Sequence, residues 1–390
     1  MSEIHLRLVR ATEHLVINGV AYPGFPILLC DSMESCREAN TFLRAYLLRG
    51  AIGSQKSWQV IGQSIYDFFG FLQAHELAWD DVDRGERKSL VSAYRDYCRE
   101  HAGLAPATIR QRLVYVCEFY EFAQRQAWIS KLPFDHEIRR IDRSQGFLAH
   151  ADASGGAVSV RDVMPRRIQT LPKFLTKEQV QSLLSVAINV HHRMLTRLAL
   201  GTGLRREELA TFPLSYVFDP DLTSSGGRNV RVHLDPHDGS GMKTKGSKPR
   251  DIYMPRGLMK DLHHYAKHYR GERGHGSGCK ALFLNQAGRA YAADGKGLER
   301  IVRELGKQAG LTVWPHLLRH TYATHTLIAL QRHGDRNRVE PMVFLQRQLG
   351  HSSIQTTMVY LHLVNDLADD AVLAYDDELN EWIDGDAVAA

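Results

Sequence analysis

The chain is poor in cysteine, and the cysteines that it has are not arranged as a disulfide framework. Five cysteines occur among 390 residues, and no two of them are spaced as a CxxC pair. Small secreted domains that depend on disulfides carry dense, even-numbered sets of cysteines. The sequence therefore predicts a protein of a reducing compartment, and we expect it in the cytoplasm.

Long apolar runs are missing as well. No stretch of 18 apolar residues occurs, and charged residues precede any apolar run at the N-terminus. A transmembrane helix needs about 20 predominantly apolar residues, and a secretory signal peptide needs an apolar segment behind a basic start. The sequence predicts neither of these, and we expect no membrane partner.

Outside one terminal segment, acidic residues are outnumbered by basic ones. Residues 364–390 hold nine of the 44 Asp and Glu residues and none of the 49 Lys and Arg residues, so a net charge of +5 for the whole chain becomes +14 for residues 1–363. A positive surface suits a polyanion such as nucleic acid, although many other proteins are basic. Charge alone leaves the partner open.

The first third of the chain is predicted to be helical. Residues 1–34 contain no confident element and remain an unassigned N-terminal arm. Residues 35–135 carry apolar residues at helical spacing, which predicts a bundle of about four amphipathic helices. The two clearest stripes are Ile61, Ile65, Phe68, Phe69 and Leu72, and Ile109, Leu113, Val116, Cys117 and Tyr120.

A second domain is predicted to follow a linker. Residues 136–170 lose the periodicity, are rich in arginine and small residues, and are interpreted as a flexible basic linker. The domain at 171–363 opens with a capping box formed by Thr176 and Gln179. Within it, 230–234 and 252–254 predict a β-hairpin. Residues 364–390 form an acidic C-terminal tail.

The second domain carries the residue types that cutting a phosphodiester without a metal requires. Such a reaction needs a nucleophile, cations that hold the nonbridging oxygens, and a proton donor for the leaving alcohol. His316 and Arg319 are three positions apart, so one face of a helix presents both to a single phosphate. This pair alone is a weak signal.

His351 and Tyr360 stand nine residues apart near the end of this domain. At about 100° per residue they would point to opposite sides of one continuous helix. Ser352 and Ser353 are suitable N-cap residues. We therefore predict that a helix restarts there, with His351 in the preceding turn and Tyr360 on the third helical turn.

Three segments of the chain resemble the signatures of the tyrosine recombinases of the phage integrase family. They read TGLRREEL at 202–209, HLLRHT at 316–321, and LGH at 349–351 followed by TTMVY at 356–360. The resemblance covers the second domain strongly, the helical first domain loosely, and residues 1–34 not at all. It implies a mainly α fold with a small antiparallel β-sheet in the catalytic domain, and a two-domain clamp on double-stranded DNA.

The resemblance implies roles for five residues of these segments. Tyr360 would attack the scissile phosphate, form a 3′-phosphotyrosine and release a 5′-hydroxyl, so that no ATP, metal or other cofactor is needed. Arg205 and Arg319 would hold the nonbridging oxygens of the phosphate. His316 would assist removal of the proton from Tyr360, and His351 would donate a hydrogen bond to the phosphate.

The resemblance also implies a lysine on the turn of a β-hairpin, which protonates the leaving 5′-oxygen. Residues 245–250 match the family's K-G-x-K-x-R form, which favours Lys245. Lys243 and Lys248 remain alternatives.

Other residues are expected to support the site or to contact DNA. Glu208 is interpreted as a structural partner, and His320 as a residue that buttresses the site. Arg206 would replace Arg205 if the motif were shifted by one residue. Basic residues expected to contact the DNA are Arg110, Arg112, Arg166, Arg167, Lys243 and Lys248.

One group of residues imitates a metal site. His264 and His268 are four residues apart, as are His275 and Cys279, which is a spacing that zinc sites can use. Four glycines between 271 and 278 indicate a loose loop instead. We expect no metal site.

The predicted function is site-specific DNA recombination of the integrase or resolvase type. The resemblance implies a tetramer on DNA, in which residues 364–390 dock on a neighbouring protomer; the alternative is that this tail folds back over the site. Two other functions stay open: a type IB topoisomerase-like enzyme with the same chemistry, and a DNA-binding architectural protein without catalysis.

Overall fold

The structure is a computed structural model, and it describes residues 6–49, 55–140, 157–166, 171–222, 227–274, 278–332 and 340–361. The chain divides into two compact units, residues 1–169 and residues 170–390. Each unit has its own hydrophobic core. The described residues are mostly helical with small antiparallel sheets, so the predicted fold class is confirmed.

The described part of the first unit combines four helices with short strands. Its strands are β1 (Leu6–Arg10), β2 (Val16–Ile17), β3 (Val20–Ala21), β4 (Pro26–Cys30), β5 (His136–Arg140) and β6 (Ala157–Arg161). Its helices are α1 (Arg37–Leu47), α2 (Gln55–Ala74), α3 (Leu90–Glu100) and α4 (Pro106–Arg125). Both predicted apolar stripes, on α2 and α4, are buried in this core. Burial of these stripes explains why the four segments are helical and packed together.

The N-terminal arm, which the sequence left unassigned, is structured over its described part. Strand β1 pairs with β4 in an antiparallel register from Leu6 with Cys30 to Arg10 with Pro26. A Cβ on Gly62 of α2 would lie 2.4 Å from the Cβ of Pro26, so β4 packs directly on that helix. The strands are short and their burial depends on α2, which a local sequence pattern does not reveal.

The prediction of a flexible linker at 136–170 is wrong for its described part. Strands β5 and β6 form an antiparallel pair. Arg161 is bonded to Glu118 and Glu121 of α4 at 2.9 and 2.8 Å, and the side chains of Val163 and Met164 are buried in the core of the first unit. Residues 141–156 and 167–170 lie outside the described residues.

The second unit is built from helices around one hairpin. Its strands are β7 (Asn229–Leu234) and β8 (Arg250–Pro255). Its helices are α5 (Lys177–Val186), α6 (Val190–Thr202), α7 (Arg206–Ala210), α8 (Arg256–His268), α9 (Lys296–Gln308), α10 (Pro315–Arg332), α11 (Pro341–Leu349) and α12 (354–361). A 3-10 turn at Lys245–Ser247 lies between the two strands.

Two local predictions for this unit are confirmed. The hydroxyl of Thr176 accepts a hydrogen bond from the backbone N–H of Gln179, and the backbone N–H of Thr176 donates to Oε1 of Gln179, which is the predicted capping box of α5. The predicted hairpin is β7 paired with β8, and alternate residues of β7 are buried. The strand pattern was readable because one face of the hairpin packs on the core.

None of the described helices combines the length and the apolar character needed to cross a membrane. Across the described residues, no cluster of three or more His, Cys, Asp and Glu is placed to bind a metal ion. The rings of His264 and His268 lie 4.5 Å apart on α8, while His275, which belonged to the imitated zinc pattern, lies outside the described residues.

Candidate active site

Arg319 lies at the centre of the predicted catalytic residues. Its guanidinium donates hydrogen bonds of 2.7 Å to the carbonyl of Gly203, which ends α6, and of 2.7 Å to the carbonyl of Leu349, which ends α11. A third hydrogen bond, of 3.0 Å, runs to Nε2 of His351. The side chain of Arg319 thus links the ends of two helices to the second turn of α10.

Arg319 is 1% exposed, and this burial lowers the pKa of its guanidinium. Loss of hydration, followed by the charge of Arg205, lowers the pKa of Arg319 to about 9. The guanidinium is still protonated at neutral pH. Two fixed cations in a poorly hydrated site form a ready position for an anion, because their mutual repulsion is relieved when one binds.

Arg205 is held beside Arg319 by the turn at the start of α7. Its guanidinium donates to the carbonyl of Gly350 at 2.9 Å and to Glu208 at 3.2 Å, and its backbone N–H donates to Glu208 at 2.8 Å. Arg206, the one-residue alternative, is instead paired with Glu299. The geometry brings Arg205, and not its neighbour, to the carbonyl of Gly350, next along the chain to the Leu349 carbonyl that Arg319 binds.

Glu208 is a buried carboxylate that aligns two arginines. It is 1% exposed and accepts two hydrogen bonds of 2.7 Å from the guanidinium of Arg250 on β8. Burial raises the pKa of Glu208, but the bonds and charges of Arg250 and Arg205 outweigh it, so the pKa lies below its ordinary value of 4.5. The resulting stabilisation is present above pH 4.5 and is lost as the pH falls through the folded-state pKa.

The predicted restart of the helix before Tyr360 is confirmed. Helix α11 ends at Leu349, His351 lies in the following turn, and α12 begins at 354. The hydroxyl of Ser353 accepts a hydrogen bond of 3.2 Å from the backbone N–H of Gln355, as an N-cap residue does. The rings of His351 and Tyr360 are nearly parallel, with an interplanar angle of 8° and centroids 6.4 Å apart.

His351 is neutral and its tautomer is fixed by its neighbours. Because Arg319 can only donate, Nε2 of His351 must accept, and Nδ1 therefore carries the proton that is shared with Oγ1 of Thr357 at 2.9 Å. Burial, followed by the charges of Arg319 and Arg205, lowers the pKa of His351 to about 3. Before a phosphate enters, this ring therefore accepts a hydrogen bond from Arg319 and does not donate one to it.

Tyr360 is nearly inaccessible, with 2% of its surface exposed. Its hydroxyl lies 2.8 Å from Nδ1 of His320. Burial raises the pKa of the phenol, while the charges of Arg319 and Arg205 oppose that effect. His316 lies at the exposed edge of the same group, and its ring centroid is 4.4 Å from that of His320.

Lys245, the lysine that the sequence favours as the proton donor, lies in the 3-10 turn between β7 and β8. The side chains of Lys243, Lys245 and Lys248 are all exposed. The charge of Lys245 is among the causes that lower the pKa of His316, after burial, Arg319 and Arg205. Because its charge acts on His316, Lys245 is favoured over Lys243 and Lys248 as the proton donor.

Of the basic residues expected to contact DNA, some are engaged in contacts within the protein and others are exposed. Arg112 is paired with Asp67 at 2.7 Å, and Arg110 donates to the carbonyl of Pro165 at 2.9 Å. These intramolecular contacts disfavour the prediction that either side chain binds phosphate. Arg166 is exposed, and Arg167 lies outside the described residues.

Three residues of the site escaped the sequence analysis. Arg250 was quoted as the last residue of the K-G-x-K-x-R segment, but its contact with Glu208 was not foreseen. Thr357, which is fully buried, belongs to the TTMVY segment and holds His351. Gln348 is 2% exposed and bonds through its side chain to both backbone groups of Tyr253. Arg250 and Thr357 lie within motifs of the sequence, whereas Gln348 stands one residue before LGH and no motif marks it.

Gly350 is required where it stands. Its φ is +63°, in the left-handed region, and a Cβ there would lie 2.8 Å from Cδ of Arg250. We expect Gly350→Ala to lower the free energy of unfolding by about 1–2 kcal/mol from the backbone alone, with a further loss from displacing Arg250. Chemical denaturation measures this loss.

Gly239 is the matched control. Its φ is +73°, but no atom lies within 4 Å of an added Cβ. Gly239→Ala should therefore show the backbone effect without the steric one. Equal losses for the two variants would disprove the proposed packing of Gly350 on Arg250.

Comparison with known proteins gives the following matches. Residues 173–366 match the phage integrase family. Tyrosine recombinase XerD of Oceanobacillus iheyensis is 27% identical over 323 residues, which are 80% of this chain and 97% of that protein. Tyrosine recombinase XerA of Pyrococcus furiosus is 30% identical over 201 residues, but the chain spans 59% of its length.

Solved structures show the same fold. XerH site-specific recombinase, bound to palindromic difH substrate after cleavage, matches with a TM-score of 0.55 and 17% identity, covering 88% of this chain and 90% of that one. The Tn1549 transposon integrase in complex with transposon right end DNA matches with a TM-score of 0.55 and 20% identity, covering 83% and 94%. From its motifs, its fold and these relatives, the chain belongs to the phage integrase family of tyrosine recombinases.

Proposed function

We propose that this protein is a site-specific DNA recombinase that cuts and rejoins double-stranded DNA through a 3′-phosphotyrosine at Tyr360. The observation that carries the proposal is the convergence of two guanidinium groups, Arg205 and Arg319, on the carbonyls of one turn, 349–350, next to the buried phenol. A phosphodiester bound by both arginines would lie beside the nucleophile. This is the arrangement that transesterification at phosphorus needs.

The chemistry balances with this chain's own side chains. In cleavage a bond forms between Oη of Tyr360 and phosphorus while the hydroxyl proton passes to a histidine of the site, and the bond from phosphorus to the 5′-oxygen breaks. Lys245 gives a proton to the leaving 5′-oxygen, while Arg205 and Arg319 stabilise the charge on the nonbridging oxygens. Rejoining is the reverse, and the phosphotyrosine conserves the energy of the broken bond.

DNA as the partner is supported by the matched structures, which are a recombinase bound to palindromic difH substrate and an integrase in complex with transposon right end DNA. We assign residues 171–363 to catalysis and the bundle at 35–135 to binding the DNA core site. A tetramer on DNA, with residues 364–390 docked on a neighbouring protomer, belongs to the same proposal. The tail itself lies outside the described residues.

The proposal is tested by covalent capture. The full chain is incubated in EDTA with duplex fragments of the DNA that flanks its own gene, and the mixture is separated on a denaturing gel. We expect a protein–DNA adduct with the wild type and none with Tyr360→Phe. The matched control is Tyr253→Phe, an exposed tyrosine of β8, which should form the adduct.

Absence of the adduct from the wild type, or an equal yield with Tyr360→Phe, would refute the proposal. The same fragments separate recombination from topoisomerase activity. A recombinase exchanges strands between two captured sites, whereas a type IB topoisomerase-like enzyme relaxes supercoiled DNA whether or not it carries the site.

A further inference from the structure

The phenol of Tyr360 has a specific neighbour that the family resemblance did not assign to proton transfer. Nδ1 of His320 lies 2.8 Å from its Oη. Tyr360 is 2% exposed, and a buried hydroxyl hydrogen needs an acceptor because leaving it unpaired costs free energy.

His320 is the acceptor in this hydrogen bond. If Nδ1 of His320 carried a proton and donated it, the hydrogen of the phenol would need a different acceptor. Among the described residues, no other hydrogen bond to this hydroxyl occurs. Nδ1 must therefore be unprotonated, with the Tyr360 O–H directed at its lone pair.

His316, the residue expected to assist in removing this proton, occupies a different position. His316 is exposed, and its ring lies against that of His320, which follows it by one turn of α10. The described residues give no hydrogen bond between His316 and Tyr360. Its place at the exposed edge, near the charge of Lys245, suits contact with the incoming DNA phosphate.

We propose that His320, rather than His316, takes the hydroxyl proton of Tyr360 during cleavage and returns it during rejoining, an inference that rests on the proposed function. In cleavage the O–H bond breaks, the proton moves to Nδ1 of His320, and the oxygen's electron pair forms the bond to phosphorus. In rejoining, the imidazolium protonates the departing phenolate. His320 touches a reacting atom and is thus a catalytic residue.

The charges around His320 help to set the pKa of its ring, and hence its strength as a base. From α10 it faces His316 and Arg319, and from the segment 351–360 it faces His351 and Tyr360. Burial, followed by the charges of His316 and Arg319, lowers the pKa of His320 to about 4, so the ring is neutral at pH 7. A bound phosphate offsets those cations, and the pKa during cleavage should then lie between about 4 and its ordinary 6.5.

The test uses His320→Asn with His316→Gln as its counterpart. The amide oxygen of Asn sits near the position of Nδ1 and can still accept the phenol's hydrogen bond, but it is not a base. Single-turnover cleavage of a nicked duplex built from the captured site is measured from pH 4 to pH 9. We expect His320→Asn to cleave about 10²–10⁴-fold more slowly.

The shape of the pH profile separates a base from a structural support. The wild-type rate should fall on the acid side as His320 becomes protonated. In the wild type this acid limb ends in a plateau above the pKa of His320. In His320→Asn that break should be replaced by a rate that rises over the whole pH range toward the ionisation of the phenol, and in His316→Gln it should persist. In His320→Ala, added imidazole should restore cleavage. This rescue is an independent test of the base if the Asn variant does not fold.

The outcomes are distinct. A plateau that persists in His320→Asn, with no imidazole rescue of His320→Ala, overturns the inference while leaving the recombinase proposal intact. Loss of the plateau in His316→Gln alone moves the base to His316. A wild type that forms no adduct at all refutes the proposed function, and the role of His320 with it.

Discussion

Replacing Arg319 with alanine is expected to abolish most DNA cleavage, with a loss of about 10³-fold or more in the single-turnover rate. Removing one preorganised donor to a developing charge commonly costs 10²–10³-fold, and Arg319 supplies several such donors. Its loss also frees the ring of His351, which Arg319 now holds at 3.0 Å. The cleavage rate and the unfolding midpoint are measured together.

The same substitution should reduce stability. The carbonyls of Gly203 and Leu349 would lose their buried donor, and each unpaired buried group costs about 1–3 kcal/mol. Arg319→Lys keeps the charge but not the planar fork, so it should recover stability better than activity. Arg303→Ala, at an exposed pair on α9, is the surface control. Unchanged cleavage in Arg319→Ala would rule out its role at the phosphate.

The second large effect is expected for Lys245→Ala, which should cleave ordinary DNA about 10²–10⁴-fold more slowly. Its side chain is exposed and lies on the turn between β7 and β8, so its removal should leave stability almost unchanged. The rate should return when the 5′-bridging oxygen of the scissile phosphate is replaced by sulfur, because a thiolate leaves without a proton. The readout is the ratio of cleavage rates on the two substrates.

Lys243→Ala and Lys248→Ala are matched controls on the same turn. The backbone N–H of Lys243 is bonded to Thr211, and the carbonyl of Lys248 accepts from Thr244; neither contact needs the lysine side chain. Both variants should cleave both substrates at similar rates. Sulfur rescue in Lys243→Ala or Lys248→Ala, and not in Lys245→Ala, would assign the proton donor to that other lysine.

The sequence predicted what depends on local periodicity and on motifs. The stripes of α2 and α4, the capping box at Thr176 and the helix restart before Tyr360 each follow from spacing and capping chemistry within a few residues. Contacts between distant segments were not readable. The pairing of Glu208 with Arg250 joins residues 42 positions apart, and no local pattern announces it.

Contacts between distant segments also explain why the structure differs from the prediction in the N-terminal arm and in the linker. Strands β1 and β4 are short, and their order depends on packing against α2, so the arm gave no signal of its own. The end of the supposed linker is ordered by Arg161, whose partners lie on α4. His320 is a similar case: the motif marked it, but its role depends on which histidine the fold brings to the phenol.

The central claim is that Tyr360 becomes linked to the 3′ side of a broken DNA strand without a metal. The most direct measurement digests the captured adduct with protease and nuclease and identifies the modified peptide by mass spectrometry, while the free DNA end is tested for phosphorylation by a kinase. We expect a nucleotide on Tyr360 and a 5′-hydroxyl that the kinase labels without prior phosphatase. A nucleotide on any other residue, or a free 3′-hydroxyl at the break, would contradict it.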